Sequence, residues 1–250
     1  MGYGLWAEMQ KESPNLELIK GSTELNKMFA ALQRTGSGLR RDFGEVENLQ
    51  QSLSGARDFV AKAASRIEEA ILSDLMLVRP AAGLLTPNAS QIGDGISEFV
   101  LALSGAANFV RGNPHFAISL ALRINDETKI ALIYSPIDER LYYAEAGNGA
   151  YVFSAFHSNR ISVSKIANPA EMTVGLGTPL SAFSSSLSAH AVRVTGCPAL
   201  DLAWVASGKF DRYVSDPLDY AEICAGELLV AEAGGELTME SELIASNGKQ

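Results

Sequence analysis

The stretch SGAANFVRGNPHFAISLAL, residues 104–122, is the most informative part of the chain for its fold. It follows the apolar run Phe99-Val100-Leu101-Ala102-Leu103, which is typical of a buried strand that ends at a glycine turn. Backbone N–H groups in such a turn can bind an anion, but an ordinary strand-to-loop turn has the same composition. The turn alone therefore does not decide between the two interpretations.

A series of four short β-rich runs starts in this stretch, and the last three runs lie beyond it. They cover residues 116–122, 129–134, 140–144 and 150–153. Their separators are rich in turn residues, at 125–126, 136–138 and 147–149. This arrangement predicts an antiparallel meander.

The segments before the strand at 99–103 are expected to be helical and then irregular. Apolar residues at 25, 28, 29 and 32 lie on one helical face, and Gly36 and Gly38 are predicted to interrupt that helix. A second helix is predicted from about Arg57 to Met76. Residues 82–95 are rich in Gly, Pro, Asn and Asp, which favours a loop.

Strand and helix alternate after Pro169. Strands are predicted at 173–176, 191–194 and 210–214, and helices at 199–207 and 221–233, the last one ended by Gly234-Gly235. We therefore expect a lead-in segment over 1–21, an α+β subdomain with the meander over 22–165, and an α/β subdomain over 166–250.

Composition and charge limit the classes of function. The 250 residues are 47% hydrophobic, which is enough for one large core or for two subdomains sharing an interface. A net charge of −9 disfavours nucleic acid and anionic membranes as partners, but a small phosphorylated ligand responds to its local pocket. No signal peptide or apolar run long enough to span a membrane is expected, and Cys197 and Cys224 are interpreted as buried free thiols of a cytoplasmic protein.

Residues 105–114 and the strand that follows resemble the inositol monophosphatase family, which reads D-P-x-D-G-T-x-N-F-V-H-G-x-P at this point. Other stretches agree with the family in the same order, namely residues 58–60, 133–136, 147–150, 161–164, 199–211, 225–235 and 244–247. The resemblance implies an α/β (α+β) fold, the layered αβαβα sandwich of the inositol monophosphatase and fructose-1,6-bisphosphatase type. Because the chain ends at Gln250, the last helix of the family is expected to be shortened or absent.

The resemblance also shows where this chain departs from the family. Family members hydrolyse phosphate esters with Mg²⁺ ions, which need clustered carboxylate and carbonyl oxygens. The positions that align with the family's metal-ligand and water-orienting residues are Ala64, Pro87, Leu101, Ser104, Ala106 and Glu222. Glu222 is the one carboxylate among them, so a multi-metal centre is not expected.

Two interpretations of the remaining acidic residues stay open. Asp219 and Glu222 are three residues apart and could form a residual single-cation site, or they could be favoured at a helix N-terminus by the helix dipole. Asp94 and Glu98 could replace the upstream carboxylates if that loop is aligned differently. The three histidines, at 115, 157 and 190, have no metal-binding spacing and are interpreted as loop or surface residues.

The resemblance leads to a first expectation of a catalytically inactive member with a binding or regulatory role and no cofactor. Its cleft is expected to bind phosphate or another anion on the amides of Gly105 and Ala106, and a homodimer and a protein partner are expected by analogy. The alternative is an active Mg²⁺-dependent phosphoric monoester hydrolase acting on an inositol or sugar monophosphate, with Mg²⁺ held by Glu222 and Asp219, Asp94 or Glu98. A third interpretation is a structural subunit that pairs with an active paralogue.

Overall fold

The structure is a computed structural model that describes residues 19–48, 53–87, 89–91, 93–154, 157–177, 189–240 and 242–249. The first 18 residues of the predicted lead-in segment, Asn88 and the side chain of Ala64 lie outside the described part.

The described strands form two sheets, and the described helices pack against them. The helices are α1 (Thr23–Asn48), α2 (Leu53–Val78), α3 (Ala106–Val110), α4 (Pro198–Ala206) and α5 (Tyr220–Glu232). The strands are β1 (Gly83–Thr86), β2 (Ala89–Gln91), β3 (Ser97–Ser104), β4 (Ala117–Ile124), β5 (Glu127–Ser135), β6 (Arg140–Glu145), β7 (Gly149–Ser154), β8 (His157–Ile161), β9 (Thr173–Leu176), β10 (Ala191–Arg193), β11 (Arg212–Ser215), β12 (Glu236–Met239) and β13 (Leu243–Ser246). The first sheet has the order β2-β1-β3-β4-β5-β6-β7-β8, and the second has the order β10-β9-β11-β13-β12.

Side-chain alternation along β3 assigns the two faces of the first sheet. Phe99 and Leu101 belong to the core shared with α1 and α2, whereas Val100 and Ala102 belong to the core shared with α4 and α5. Phe29 of α1 makes edge-to-face contacts with aromatic rings of β5 and β7, at centroid distances of 6.2 and 5.7 Å. The α1–α2 pair therefore covers one face of the sheet.

The opposite face of the first sheet is lined by alanines, which lets α4 and α5 approach closely. The alanines are Ala102, Ala117, Ala121, Ala131, Ala144 and Ala150. The two helices also pack tightly on each other, because a Cβ added to Gly226 would lie 2.3 Å from Leu202 Cδ1. The second sheet covers this helix pair from the other side through Tyr213, Leu243 and Ala245.

The predicted fold class is confirmed as a layered α/β sandwich. The layers run from α1–α2 through the first sheet and α4–α5 to the second sheet. The outer face of the second sheet carries a smaller apolar cluster of Met172, Val174, Leu176 and Val214. Within the described residues, no helix combines the length and apolar character needed to cross a lipid bilayer.

The predicted meander is confirmed, but two other predictions about local structure were wrong. Helix α1 continues through Gly36 and Gly38, because packing of its apolar face outweighs the low helix propensity of glycine. Residues 82–95 are not wholly a loop, since β1 and β2 form an antiparallel pair there and β1 adds to β3 in parallel. Strands of three or four residues, like these, carry too few residues for a periodic pattern.

Gly36 and Gly38 of α1 provide a matched test of this packing. A Cβ at Gly36 would lie 2.4 Å from Tyr134 Cε1, whereas a Cβ at Gly38 would meet no atom within 4 Å. We expect Gly36→Ala to lower the free energy of unfolding by about 1–3 kcal/mol through overpacking. Gly38→Ala should raise it by up to about 1 kcal/mol through helix propensity. Urea unfolding measures both, and equal effects of the two substitutions would contradict this account.

Candidate functional site

The end of β3 and the starts of α4 and α5 meet between the two sheets. The last residue of β3, Ser104, lies against the start of α4, with Ser104 Oγ 3.6 Å from Cys197 Sγ. The start of α5 lies near Tyr213. Burial raises the pKa of Tyr213, and the Asp201 and Glu222 carboxylates raise it further. This junction is the place at which the family resemblance predicts a site.

Gly105 connects β3 to α3 in a conformation that needs glycine. Its φ is +81°, in the left-handed region. An added Cβ would also lie 2.9 Å from the carbonyl oxygen of His115 and 3.2 Å from Cys197 Cβ. The turn therefore depends on this glycine for both backbone conformation and space, whether or not it binds an anion.

Asn108 joins this turn to the segment before α4. Its Nδ2 donates hydrogen bonds of 2.8 Å to the carbonyl oxygens of His115 and Thr195. The next residue, Phe109, stacks on Phe116 at a centroid distance of 4.7 Å. The motif residues that this chain retains are thus those that hold the turn in place.

Ser104 has a structural task at its position. Its buried hydroxyl accepts a 3.1 Å hydrogen bond from the backbone N–H of Ala199, in the first turn of α4. Cys197, the N-cap residue of α4, makes no side-chain cap of its own. The Ser104 hydroxyl therefore satisfies a backbone donor that the helix start would otherwise leave unpaired.

Apart from Glu222, the other aligned positions carry no charge. Leu101 is 2% exposed and packs in the apolar core between the first sheet and α1–α2. Ala106 and Pro87 are exposed residues at the start of α3 and in the β1–β2 turn. Ala64 lies in α2.

Glu222 and Asp219 lie at the start of α5. Both the cation-site interpretation and the helix-terminus interpretation predict this position. Asp219 is the N-cap, and its Oδ1 accepts a 2.8 Å hydrogen bond from the N–H of Ala221. The pKa of Glu222, in the first turn, is raised by burial and then by the Asp219 carboxylate. This geometry favours the helix-capping interpretation for Asp219.

The alternative upstream ligands are occupied by other contacts. Asp94 Oδ1 accepts 2.8 Å hydrogen bonds from the N–H groups of Ile96 and Ser97, which lowers the pKa of Asp94. Glu98 forms an ion pair with Arg123 at 3.1 Å. Within the described residues, no group of three or more His, Cys, Asp or Glu side chains could hold a metal ion. The donor set that the structure describes does not fit a multi-Mg²⁺ centre, because hydroxyl and apolar groups cannot replace carboxylates around clustered dications.

Sequence reasoning missed Asp201, the one fully buried carboxylate of this junction in the described residues. It is 1% exposed in the first turn of α4, and Thr195 Oγ1 lies 2.7 Å from both of its carboxylate oxygens. Burial raises the pKa of Asp201 to about 7. An aspartate within the apolar run ALDLAWVA was the available signal.

Two buried hydroxyls of β11 have no hydrogen-bond partner among the described residues other than each other. They are Tyr213 Oη and Ser215 Oγ. Both face Gly177, where an added Cβ would lie 2.7 Å from Tyr213 Oη and 2.3 Å from Ser215 Cβ. Water molecules or ligand hydroxyls are the usual partners of such groups.

His115 and the cysteines complete the comparison with the sequence predictions. His115 lies in a loop as predicted, but its ring packs 4.9 Å from that of Trp204, and burial lowers its pKa. Both cysteines are buried and free, as predicted. Burial raises the pKa of Cys197 to about 12, so its thiol stays protonated and is a poor nucleophile at neutral pH.

The hydrogen bond of Ser104 can be tested against a second buried serine. Ser119, on the neighbouring strand β4, has a buried hydroxyl with no partner among the described residues. We expect Ser104→Ala to lower the free energy of unfolding by about 1–3 kcal/mol, because Ala199 N–H loses its acceptor. Ser119→Ala should be neutral or stabilising, since it removes an unpaired polar group. Chemical unfolding of both variants checks this, and a loss at Ser119 equal to that at Ser104 would refute it.

The buried Asp201 predicts a dependence of stability on pH. Its pKa of about 7 in the folded chain exceeds the ordinary value of 3.8, so the folded state binds the proton more tightly. The stability from this group is complete below about pH 4 and is lost as the pH rises to about 7. Between pH 5 and 8, the free energy of unfolding of Asp201→Asn should fall by roughly 1–4 kcal/mol less than that of the parent chain. An unchanged pH profile of unfolding in this variant would disprove the assignment.

Comparison with known proteins places this geometry in a family. The family model of the inositol monophosphatase family matches residues 22–242. An inositol-1-monophosphatase of Rhizobium meliloti is 37% identical over 228 residues, which cover 86% of this chain and 84% of that protein. The Nus factor SuhB of Escherichia coli K12 is 28% identical, with 84% of this chain and 83% of that protein covered.

Solved structures agree with these sequence relatives. The extragenic suppressor protein SuhB of Bartonella henselae has a TM-score of 0.79 and 31% identity, over 91% of this chain and 95% of that chain. An inositol monophosphatase from Anabaena shares the fold with a TM-score of 0.75 at 22% identity, over 90% of each chain. The chain therefore belongs to the inositol monophosphatase family.

Proposed function

We propose that this chain is a member of the family that does not hydrolyse phosphate esters and acts as a binding or regulatory protein. The observation that carries the proposal is the use of Ser104. Its hydroxyl is engaged by the start of α4, at a position where the family resemblance calls for a metal-binding aspartate. Leu101, at the other aspartate position of the motif, is part of the apolar core.

The retained framework supports a binding role. Gly105, Asn108 and Phe109 keep the turn after β3 in place through contacts that need no metal. We infer that the amides of Gly105 and Ala106 bind phosphate or another small anion without Mg²⁺. Ala106 is exposed, so this part of the turn is accessible to a ligand.

We propose a cytoplasmic homodimer that also binds a protein partner. Some relatives are named as a Nus factor and not as a phosphatase, which supports a role for family members other than hydrolysis. The net charge of −9 makes direct binding to nucleic acid unfavourable.

A second candidate function is Mg²⁺-dependent hydrolysis of an inositol or sugar monophosphate. The relative named as an inositol-1-monophosphatase at 37% identity favours it. The acidic side chain of Glu222 in the first turn of α5 is the observation in this chain that supports it. One half-buried carboxylate with a raised pKa, beside a capping Asp219, is a weak ligand set for clustered Mg²⁺.

Hydrolysis is tested directly with inositol-1-phosphate and Mg²⁺. We expect no turnover above the rate of a heat-inactivated sample, with the Rhizobium meliloti relative as the positive control. Glu222→Ala is the diagnostic variant, because it removes the remaining carboxylate of the aligned ligand positions. Turnover that this variant abolishes would establish the second function and overturn the first.

Anion binding is measured on the same protein by calorimetry with inorganic phosphate, with and without Mg²⁺. Binding should not depend on Mg²⁺ and should be weakened about tenfold or more by Ala106→Asp, because a carboxylate there repels the anion. Ala170→Asp makes the same charge change at an exposed position in the 3-10 turn Pro169–Glu171 and should leave binding unchanged. Binding that requires Mg²⁺, or equal effects of both substitutions, would refute this part of the proposal.

A further inference from the structure

A cavity of about 250 Å³ lies on the outer face of the second sheet, away from the junction of β3 and α4. Its apolar wall is formed by Met172, Val174 and Ile244. These side chains point outward from the sheet, because the neighbouring positions Tyr213 and Ala245 point inward. An apolar cavity of roughly 150 Å³ can bind benzene, so this space can hold a small organic molecule.

Arg212 is a charged residue in the lining of this cavity. Its Nε is buried without a hydrogen bond, and its guanidinium has no ion pair among the residues that the structure describes. A buried N–H of a charged group is costly to leave unpaired, so it calls for an acceptor. A guanidinium offers parallel N–H donors that match the two oxygens of a carboxylate.

Asp211 also lines the cavity, but its carboxylate is already engaged. Its Oδ2 accepts a 2.7 Å hydrogen bond from the N–H of Thr173, and its Oδ1 accepts one from the hydroxyl of Ser164. Lys249 adds a second cationic side chain to the lining. The cavity therefore combines an apolar wall with an excess of positive charge, in a chain whose net charge is −9.

We propose that this cavity binds a small organic carboxylate, with its apolar body against Met172, Val174 and Ile244 and its carboxylate on Arg212. Lys249 adds electrostatic attraction at longer range. This site is separate from the proposed anion site at Gly105 and Ala106, which lies on the other side of the second sheet. The two proposals can therefore fail independently.

Benzoate is a suitable probe, because it joins a compact ring to one carboxylate. Calorimetric titration of the full chain should show saturable binding of one benzoate per chain. Arg212→Gln should weaken this binding about tenfold or more, because a charge-assisted hydrogen bond is lost. Arg193→Gln is the matched control, since Arg193 is exposed on the neighbouring edge strand β10 and does not line the cavity, and it should leave the affinity unchanged.

Two further ligands test the apolar wall and the guanidinium separately. Benzyl alcohol keeps the ring without the charge, and inorganic phosphate keeps a charge without the ring. Each is measured as a competitor of bound benzoate, so that phosphate bound at Gly105 and Ala106 does not contribute. Both should bind in the cavity at least about tenfold more weakly than benzoate if wall and guanidinium act together. Absence of benzoate binding, affinity unchanged by Arg212→Gln, or equal affinity for either of these ligands would overturn the proposal.

A second variant keeps the test valid if Arg212→Gln does not fold. Ala167 is exposed and lines the cavity, so Ala167→Trp should fill part of the space without removing a buried contact. We expect it to abolish benzoate binding while the thermal midpoint of unfolding stays within a few degrees of the parent chain. Undiminished binding in a folded Ala167→Trp variant would place the ligand elsewhere and overturn the assignment.

Discussion

The side-chain amide of Asn108 forms the link on which the junction between the two halves of the chain depends. It bonds to carbonyl oxygens that are far apart in sequence, one in the loop after α3 and one just before α4. This places the end of β3 against the first turn of α4. Ser104, Gly105 and Cys197 then lie close enough that an extra methyl group at Gly105 would collide with the backbone. Each group buried there must therefore find a partner within the junction.

That requirement explains how the junction can persist without clustered carboxylates. A serine at the end of β3 is small, and its hydroxyl accepts the hydrogen bond that the start of α4 has to donate. Leucine at position 101 extends an existing apolar core. The substitutions thus fit their surroundings sterically and electrostatically, whereas two more carboxylates at these buried positions would need cations to offset their mutual repulsion. Asp201 meets the same constraint in another way, because burial favours its protonated form.

The two sheets face different environments, and this separates the proposed activities in space. The inner junction is polar but largely self-satisfied, apart from the hydroxyls of Tyr213 and Ser215. The outer face of the second sheet carries an apolar wall beside a guanidinium without a partner in the described residues. A ligand at the inner junction would contact backbone amides, whereas a ligand at the outer face would contact an apolar wall and a guanidinium.

The sequence by itself determined the family, the antiparallel meander, the alternating second half and the identities of the residues at the motif positions. These features depend on short-range patterns, such as turn residues between β-rich runs and the spacing of Gly105, Asn108 and Phe109. Only the tertiary structure decided that α1 continues through Gly36, that β1 and β2 pair at one end of the first sheet, and that Asp201 is buried near Thr195 and Tyr213. It also brought Arg212 together with Ile244 and Lys249. The physical reason is that these outcomes depend on contacts between segments distant in sequence, where packing and desolvation outweigh local propensity.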